Sequence, residues 1–68
     1  MPGMDVVVNG TTVETAAQSL LDLIHEQNLG GSRIATAVNG NFIPEPRRAT
    51  TPLRAGDRIE IVSPRQGG

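Results

Sequence analysis

Short β-branched runs separated by Asn-Gly dipeptides set the rhythm of the first 43 residues. Asp5-Val6-Val7-Val8-Asn9 is followed at once by Gly10 and the run Thr11-Thr12-Val13-Glu14. Two such runs joined at Asn-Gly predict a hairpin, because a type I′ turn needs positive φ at both central residues. Three consecutive valines predict a strand with little solvent on either face, inside a sheet. The pattern recurs at Ile34-Ala35-Thr36-Ala37-Val38-Asn39, then Gly40, then Asn41-Phe42-Ile43. Pro44 and Pro46 end that returning strand, since proline cannot donate to a ladder. Residues 45–52 read as a loop or a short turn of helix. Leu53 reads as a core residue and Ala55-Gly56-Asp57 as a turn. Arg58-Ile59-Glu60-Ile61-Val62 alternates polar and apolar, the signature of a strand with one buried face.

Between the two hairpins the period changes. Leu20, Leu23 and Ile24, continued weakly at positions 27–29, form a helical stripe of two to three turns. Ser19 is the expected N-cap, with Asp22 as its capping-box partner. Gly30-Gly31 is the expected stop, supplying the left-handed residue at the helix end. The order strand, strand, helix, strand, strand, strand predicts a two-layer α+β domain, with the helix covering one face of the sheet. The first and last strands are expected to lie centrally and run parallel, joined by a right-handed crossover. That arrangement is the β-grasp fold, a mixed four- to five-stranded sheet with one main helix packed on one face. The expected limits are 4–62 for the domain and 63–68 for a flexible Gly-Gly tail.

Composition removes most chemistry. With 68 residues there is room for a single domain, and Phe42 is the one aromatic residue. Cysteine is absent, which excludes disulfides, thiolate metal sites and cysteine nucleophiles; a single histidine excludes a zinc finger. All six basic residues are arginines, balanced by seven acidic residues to a net charge of −1. That balance argues against a nucleic-acid binder. No apolar run approaches the ~20 residues of a membrane span, and Met1-Pro2-Gly3-Met4 lacks the features of a signal peptide, so a cytoplasmic location is expected. Met4 reads as a candidate alternative start to Met1. His25 has no partner for acid–base work and reads as an exposed helix residue. Glu26 reads as solvated surface, and Arg47-Arg48 as surface loop.

The end Gly67-Gly68 is the exception. The segment after Val62 is expected to project as an arm, stiffened at its base by Pro64. From Pro64 to Gly68 it spans roughly 15–18 Å at about 3.3–3.6 Å per residue. Glycines without side chains suit entry into a narrow active site on another protein. Such an arm fits acyl activation: transfer of AMP from ATP turns a poor electrophile into a mixed anhydride, which a sulfur nucleophile attacks to leave a thiocarboxylate. The protein then acts as a group carrier, with catalysis and ATP supplied by the partner and no intrinsic catalytic residue.

Ala37-Val38-Asn39-Gly40 with Phe42-Ile43-Pro44, then Thr51-Pro52-Leu53, Gly56-Asp57-Arg58-Ile59-Glu60-Ile61-Val62 and Gly67-Gly68 resemble the thiamine-biosynthesis sulfur carrier family, ThiS. The resemblance covers the chain from Met4 onward. It implies a ubiquitin-like β-grasp fold and adenylation of Gly68 by a ubiquitin-activating-type adenylyltransferase. It further implies sulfur loading, with a donor such as a cysteine desulfurase, and delivery to thiazole synthase. No bound cofactor or metal is implied, and the protein alone is expected to be a monomer. One departure stands out: Pro44 is followed by Glu45-Pro46 rather than by the family's more usual Pro-Arg. The small subunit of molybdopterin synthase, a carrier for cysteine biosynthesis, a ubiquitin-like modifier and a plain β-grasp binding module stand as alternatives. Partner contacts are expected at Val7, Phe42 and Val62 on the sheet face away from the helix, and at Arg65 and Gln66 in the arm.

Overall fold

The computed structural model describes residues 3–30 and 33–63. Five strands and one α-helix follow in the order β1 (Met4–Val8), β2 (Thr11–Thr15), α1 (Leu20–Glu26), β3 (Ala35–Val38), β4 (Asn41–Ile43) and β5 (Arg58–Val62), with a 3-10 helix at Glu45–Thr50 before the last strand. The sheet order is β2-β1-β5-β3-β4. β1 and β5 are parallel, and every other neighbouring pair is antiparallel. The expected central parallel pair is therefore present, and β5 occupies the middle of the sheet.

Both Asn-Gly dipeptides make the expected turn. Asn9 and Gly10 have φ 51° and 85°, and Asn39 and Gly40 have φ 52° and 85°. Each hairpin register is thereby fixed, pairing Val8 with Thr11 and Val38 with Asn41. One sheet face carries Val6, Val8, Val38, Ile59 and Ile61. These form a single core with Leu20, Leu23 and Ile24 of α1, and with Ala17 and Leu53. Leu53 is held there by main-chain bonds across the start of α1: Leu20 N–H to Thr51 O at 2.9 Å and Leu53 N–H to Gln18 O at 3.1 Å.

The helix starts as expected and stops early. The Ser19 hydroxyl accepts from the Asp22 N–H at 3.1 Å. The stop, however, comes at Gln27-Asn28 rather than at Gly30-Gly31. Asn28 takes φ 62°, its N–H donates to His25 O, and Leu29 N–H reaches back to Ile24 O, both at 3.0 Å. This is a Schellman closure with asparagine in the left-handed position, where its short polar side chain tolerates positive φ. Leu29 then packs on the core from outside the helix instead of extending the stripe.

Arg48 departs from expectation, whereas Glu26 is exposed as expected and in addition bonds another element. Arg48 is buried: its Nε donates to Thr36 Oγ1 at 3.1 Å and its Nη2 to Ile34 O at 2.8 Å. Thr36 in turn donates to Ile43 O at 2.8 Å, so one guanidinium ties the 3-10 helix to the β3–β4 hairpin. Glu26 accepts a hydrogen bond from the buried Thr15 hydroxyl, which also accepts from Ala17 N–H at 2.9 Å. It therefore links the end of α1 to the end of β2. Among the described residues no helix is long and apolar enough to cross a membrane.

Candidate functional site

Alternation along β5 sends Ile59 and Ile61 to the core and Arg58, Glu60 and Val62 to the opposite, open face. The registers carry this face across the sheet. Val7 pairs with Thr12 and Arg58, Ala37 with Phe42 and Glu60, and Ala35 with Val62. All three candidates, Val7, Phe42 and Val62, therefore lie on the face away from α1. Phe42 is 67% exposed and Val62 56%, the two large apolar side chains left in solvent among the described residues, whereas Val7 is half-buried.

These side chains do not form one continuous apolar patch. Val7 and Val62 line a shallow groove together with Asn9, Gly10, Arg58 and Glu60. Phe42 stands on the far side of Ala37 from Glu60. The face thus offers two apolar ridges with an arginine and a glutamate between them. Arg65, Gln66, Gly67 and Gly68 lie outside the described residues, as does the whole expected arm after Ser63.

His25 is exposed in the last turn of α1, its ring beside Gly30: a Cβ on that glycine would stand 2.7 Å from His25 Cδ2. Among the described residues no three His, Asp or Glu side chains cluster to hold a metal ion.

One feature of the site went unread in the sequence. Asn9 was legible as a turn former, but its carboxamide also bonds β5. Asn9 Nδ2 donates to Ile61 O and Asn9 Oδ1 accepts from Ile61 N–H, both at 2.9 Å. Asn39 does the same at the other end of the strand, accepting from Arg58 N–H and donating to Asp57 Oδ1, both at 3.0 Å. The available signal was the choice of Asn, not Asp or Gly, at the first position of both turns; the partners are 52 and 19 or fewer positions away, beyond any local pattern.

A mixed sheet of this order, crossed by one helix and with its last strand in the middle, defines a β-grasp domain. Among solved structures it is similar to the crystal structure of the thiamine biosynthesis protein ThiS from Geobacter metallireducens, with a TM-score of 0.79 and 22% identity over 96% of this chain and 100% of that one. At that identity the likeness carries the fold. No curated protein matches the sequence. The chain matches the ThiS family over residues 6–68, and it belongs to that family. Membership supports a sulfur-carrier role in thiamine biosynthesis.

Proposed function

We propose that this protein carries sulfur as a thiocarboxylate on Gly68 and donates it to thiazole synthase. The observation that carries the proposal is the family match, which spans the β-grasp frame and extends through Gly67 and Gly68. The Gly68 carboxylate attacks the α-phosphorus of ATP on a ubiquitin-activating-type enzyme. Pyrophosphate leaves and an acyl-adenylate forms. Sulfur at the hydrosulfide level then attacks the acyl carbon, AMP departs with the C–O bonding pair, and a thiocarboxylate remains. The adenylate supplies a leaving group that a carboxylate lacks, and the partner supplies the catalytic groups. In the cell a cysteine desulfurase is the proposed origin of the sulfur, delivered as an enzyme persulfide that a thiol reductant takes to the hydrosulfide level, the thiol leaving as a disulfide.

The open face is the proposed dock for the activating enzyme. Phe42 and Val62 gain most from being covered, at about 25 cal/mol per Å² of apolar surface removed from water. Arg58 and Glu60 between them fix orientation more than affinity. Arg65 and Gln66 are proposed to make further contacts nearer to Gly68.

Intact mass after incubation with ATP, a sulfide source and host extract tests the carrier reaction. The expected result is a gain matching one oxygen replaced by sulfur, located in the C-terminal peptide and lost on deletion of Gly68. Unchanged mass in an extract with an active pathway, or full loading of the Gly68 deletion, overturns the proposal.

A further inference from the structure

β5 is held differently by its two neighbours. On the β3 side the register runs along the whole strand, from Val38↔Ile59 to Ala35↔Val62. On the β1 side it covers only Val7↔Arg58 and Val8↔Ile59, because β1 turns away after Val8. The bond from Asn39 N–H to Arg58 O sets the phase of the β3 ladder. In an antiparallel ladder the bonding direction alternates, so Arg58, Glu60 and Val62 point their main-chain groups toward β3, and Ile59 and Ile61 point theirs toward β1. Ile59 O receives the last main-chain bond from that side, from Asn9 N–H at 2.9 Å. Ile61 comes after the chain of β1 has left. Its N–H and C=O are taken by the two ends of the Asn9 carboxamide, which stands in for the missing peptide group.

That substitution is chemically narrow. It needs one acceptor and one donor on a short side chain, attached to a residue that tolerates φ 51°. Aspartate keeps the acceptor and loses the donor; glycine keeps the turn and loses both. Ile61 is 6% exposed, so its main-chain groups have little access to replacement water. Only Val62 then separates Ile61 from the segment that leads to Gly68.

We propose that Asn9 is a positioning residue for the C-terminal carrier reaction: its carboxamide closes the end of β5 on the side β1 has vacated and so holds Ile61 in place while the activating enzyme engages the C-terminus. This rests on the carrier function proposed above. A strand end held in place before binding lowers the ordering cost of engaging the activating enzyme. Asn39 provides a matched control within the same molecule. It sits in the same kind of turn, between β3 and β4, and makes two bonds of similar length at the opposite end of β5, to Arg58 N–H and to the Asp57 carboxylate just before the strand.

The test compares Asn9→Gly, Asn9→Asp and Asn39→Gly with the parent protein. Hydrogen exchange at the Ile61 amide is read first, on the isolated protein. Asn9→Gly is expected to speed it about tenfold, the effect of losing one ordinary hydrogen bond, with Asn9→Asp in between and Asn39→Gly unchanged. Thiocarboxylate formation is then followed by intact mass with ATP, sulfide and host extract over a range of carrier concentrations. Asn9→Gly is expected to raise the half-saturating concentration about three- to tenfold with the maximal rate preserved; Asn39→Gly leaves both as in the parent. An Ile61 amide that exchanges at the parent rate in Asn9→Gly overturns the clamp. Equal half-saturation in the Asn9→Gly and Asn39→Gly variants overturns the positioning role while leaving the carrier reading intact. A parent protein that is never loaded overturns both.

Discussion

Replacing Arg48 by methionine tests whether a buried cation with no carboxylate partner among the described residues stabilises this fold. Methionine retains an unbranched apolar stem in the space the arginine stem fills, and removes the guanidinium with its bonds to Thr36 Oγ1 at 3.1 Å and Ile34 O at 2.8 Å. Hydrogen bonds from a charged donor contribute about 1.5–3 kcal/mol each. Two of them give at most about 3–6 kcal/mol, and the desolvation of a guanidinium only 8% exposed opposes that gain. A net loss of about 2 kcal/mol is expected. Total stability for 68 residues is about 3–10 kcal/mol at ~0.05–0.15 kcal/mol per residue. The variant should therefore fold, with a midpoint lowered by about 8–16 °C. Urea unfolding followed by circular dichroism gives the free energy. A double-mutant cycle with Thr36→Val isolates the Nε bond, since loss of the Thr36 bond to Ile43 O occurs in both Val backgrounds and cancels. The expected coupling is about 1 kcal/mol. A methionine variant within about 0.5 kcal/mol of the parent, or zero coupling, refutes the reasoning: the guanidinium would then be tolerated, not used.

Two further outcomes are expected. Asn28→Gly should leave stability unchanged or raise it by up to about 1 kcal/mol, while Asn28→Ala should lower it by about 1 kcal/mol, because φ 62° costs a Cβ-bearing residue without a local polar group about that much; equal thermal midpoints for the two variants would count against a Schellman closure there. Phe42→Glu should leave the fold intact, since the side chain is 67% exposed, yet weaken association with the activating enzyme about tenfold or more; unchanged affinity by calorimetry removes Phe42 from the docking surface.

The parts of the fold that sequence made legible are those decided within a few residues. Asn9-Gly10 and Asn39-Gly40 demand positive φ locally, and the structure places both turns where the dipeptides stand. The alternation of β5 needs only its own five residues. The helix end was misplaced because two glycines are a stronger local signal than a single asparagine. Tertiary packing of Leu29 on the core decided the matter in favour of Asn28. Arg48 was misread as surface, and the bonds of Glu26 and Asn9 went unread, for one shared reason. Each makes its defining bond to a residue 11 or more positions away, so local pattern showed a charged or polar side chain and nothing about its partner. Of the candidate site, the face shared by Val7, Phe42 and Val62 followed from strand alternation. The interruption of that face by Arg58 and Glu60 required the cross-strand register, which no single strand encodes.

The placement of β5 links fold and proposed function. Without that strand the sheet falls into two separate hairpins, β1–β2 and β3–β4, because those two pairs share no direct ladder. Contacts that join them span long stretches of sequence, as the Asn9–Ile61 bonds do across 52 positions. Closing loops of that length is costly and is offset only when the core residues Ile59 and Ile61 arrive between the hairpins. The segment leading to Gly68 is therefore attached to the element that completes the sheet. A chain in which β5 has not docked has neither the open face formed by Arg58, Glu60 and Val62 nor the Asn9 bonds that close the end of the strand. An activating enzyme that requires both discriminates folded carrier from unfolded chain without a separate checking site, because the groups it would recognise come together only on docking of the final strand.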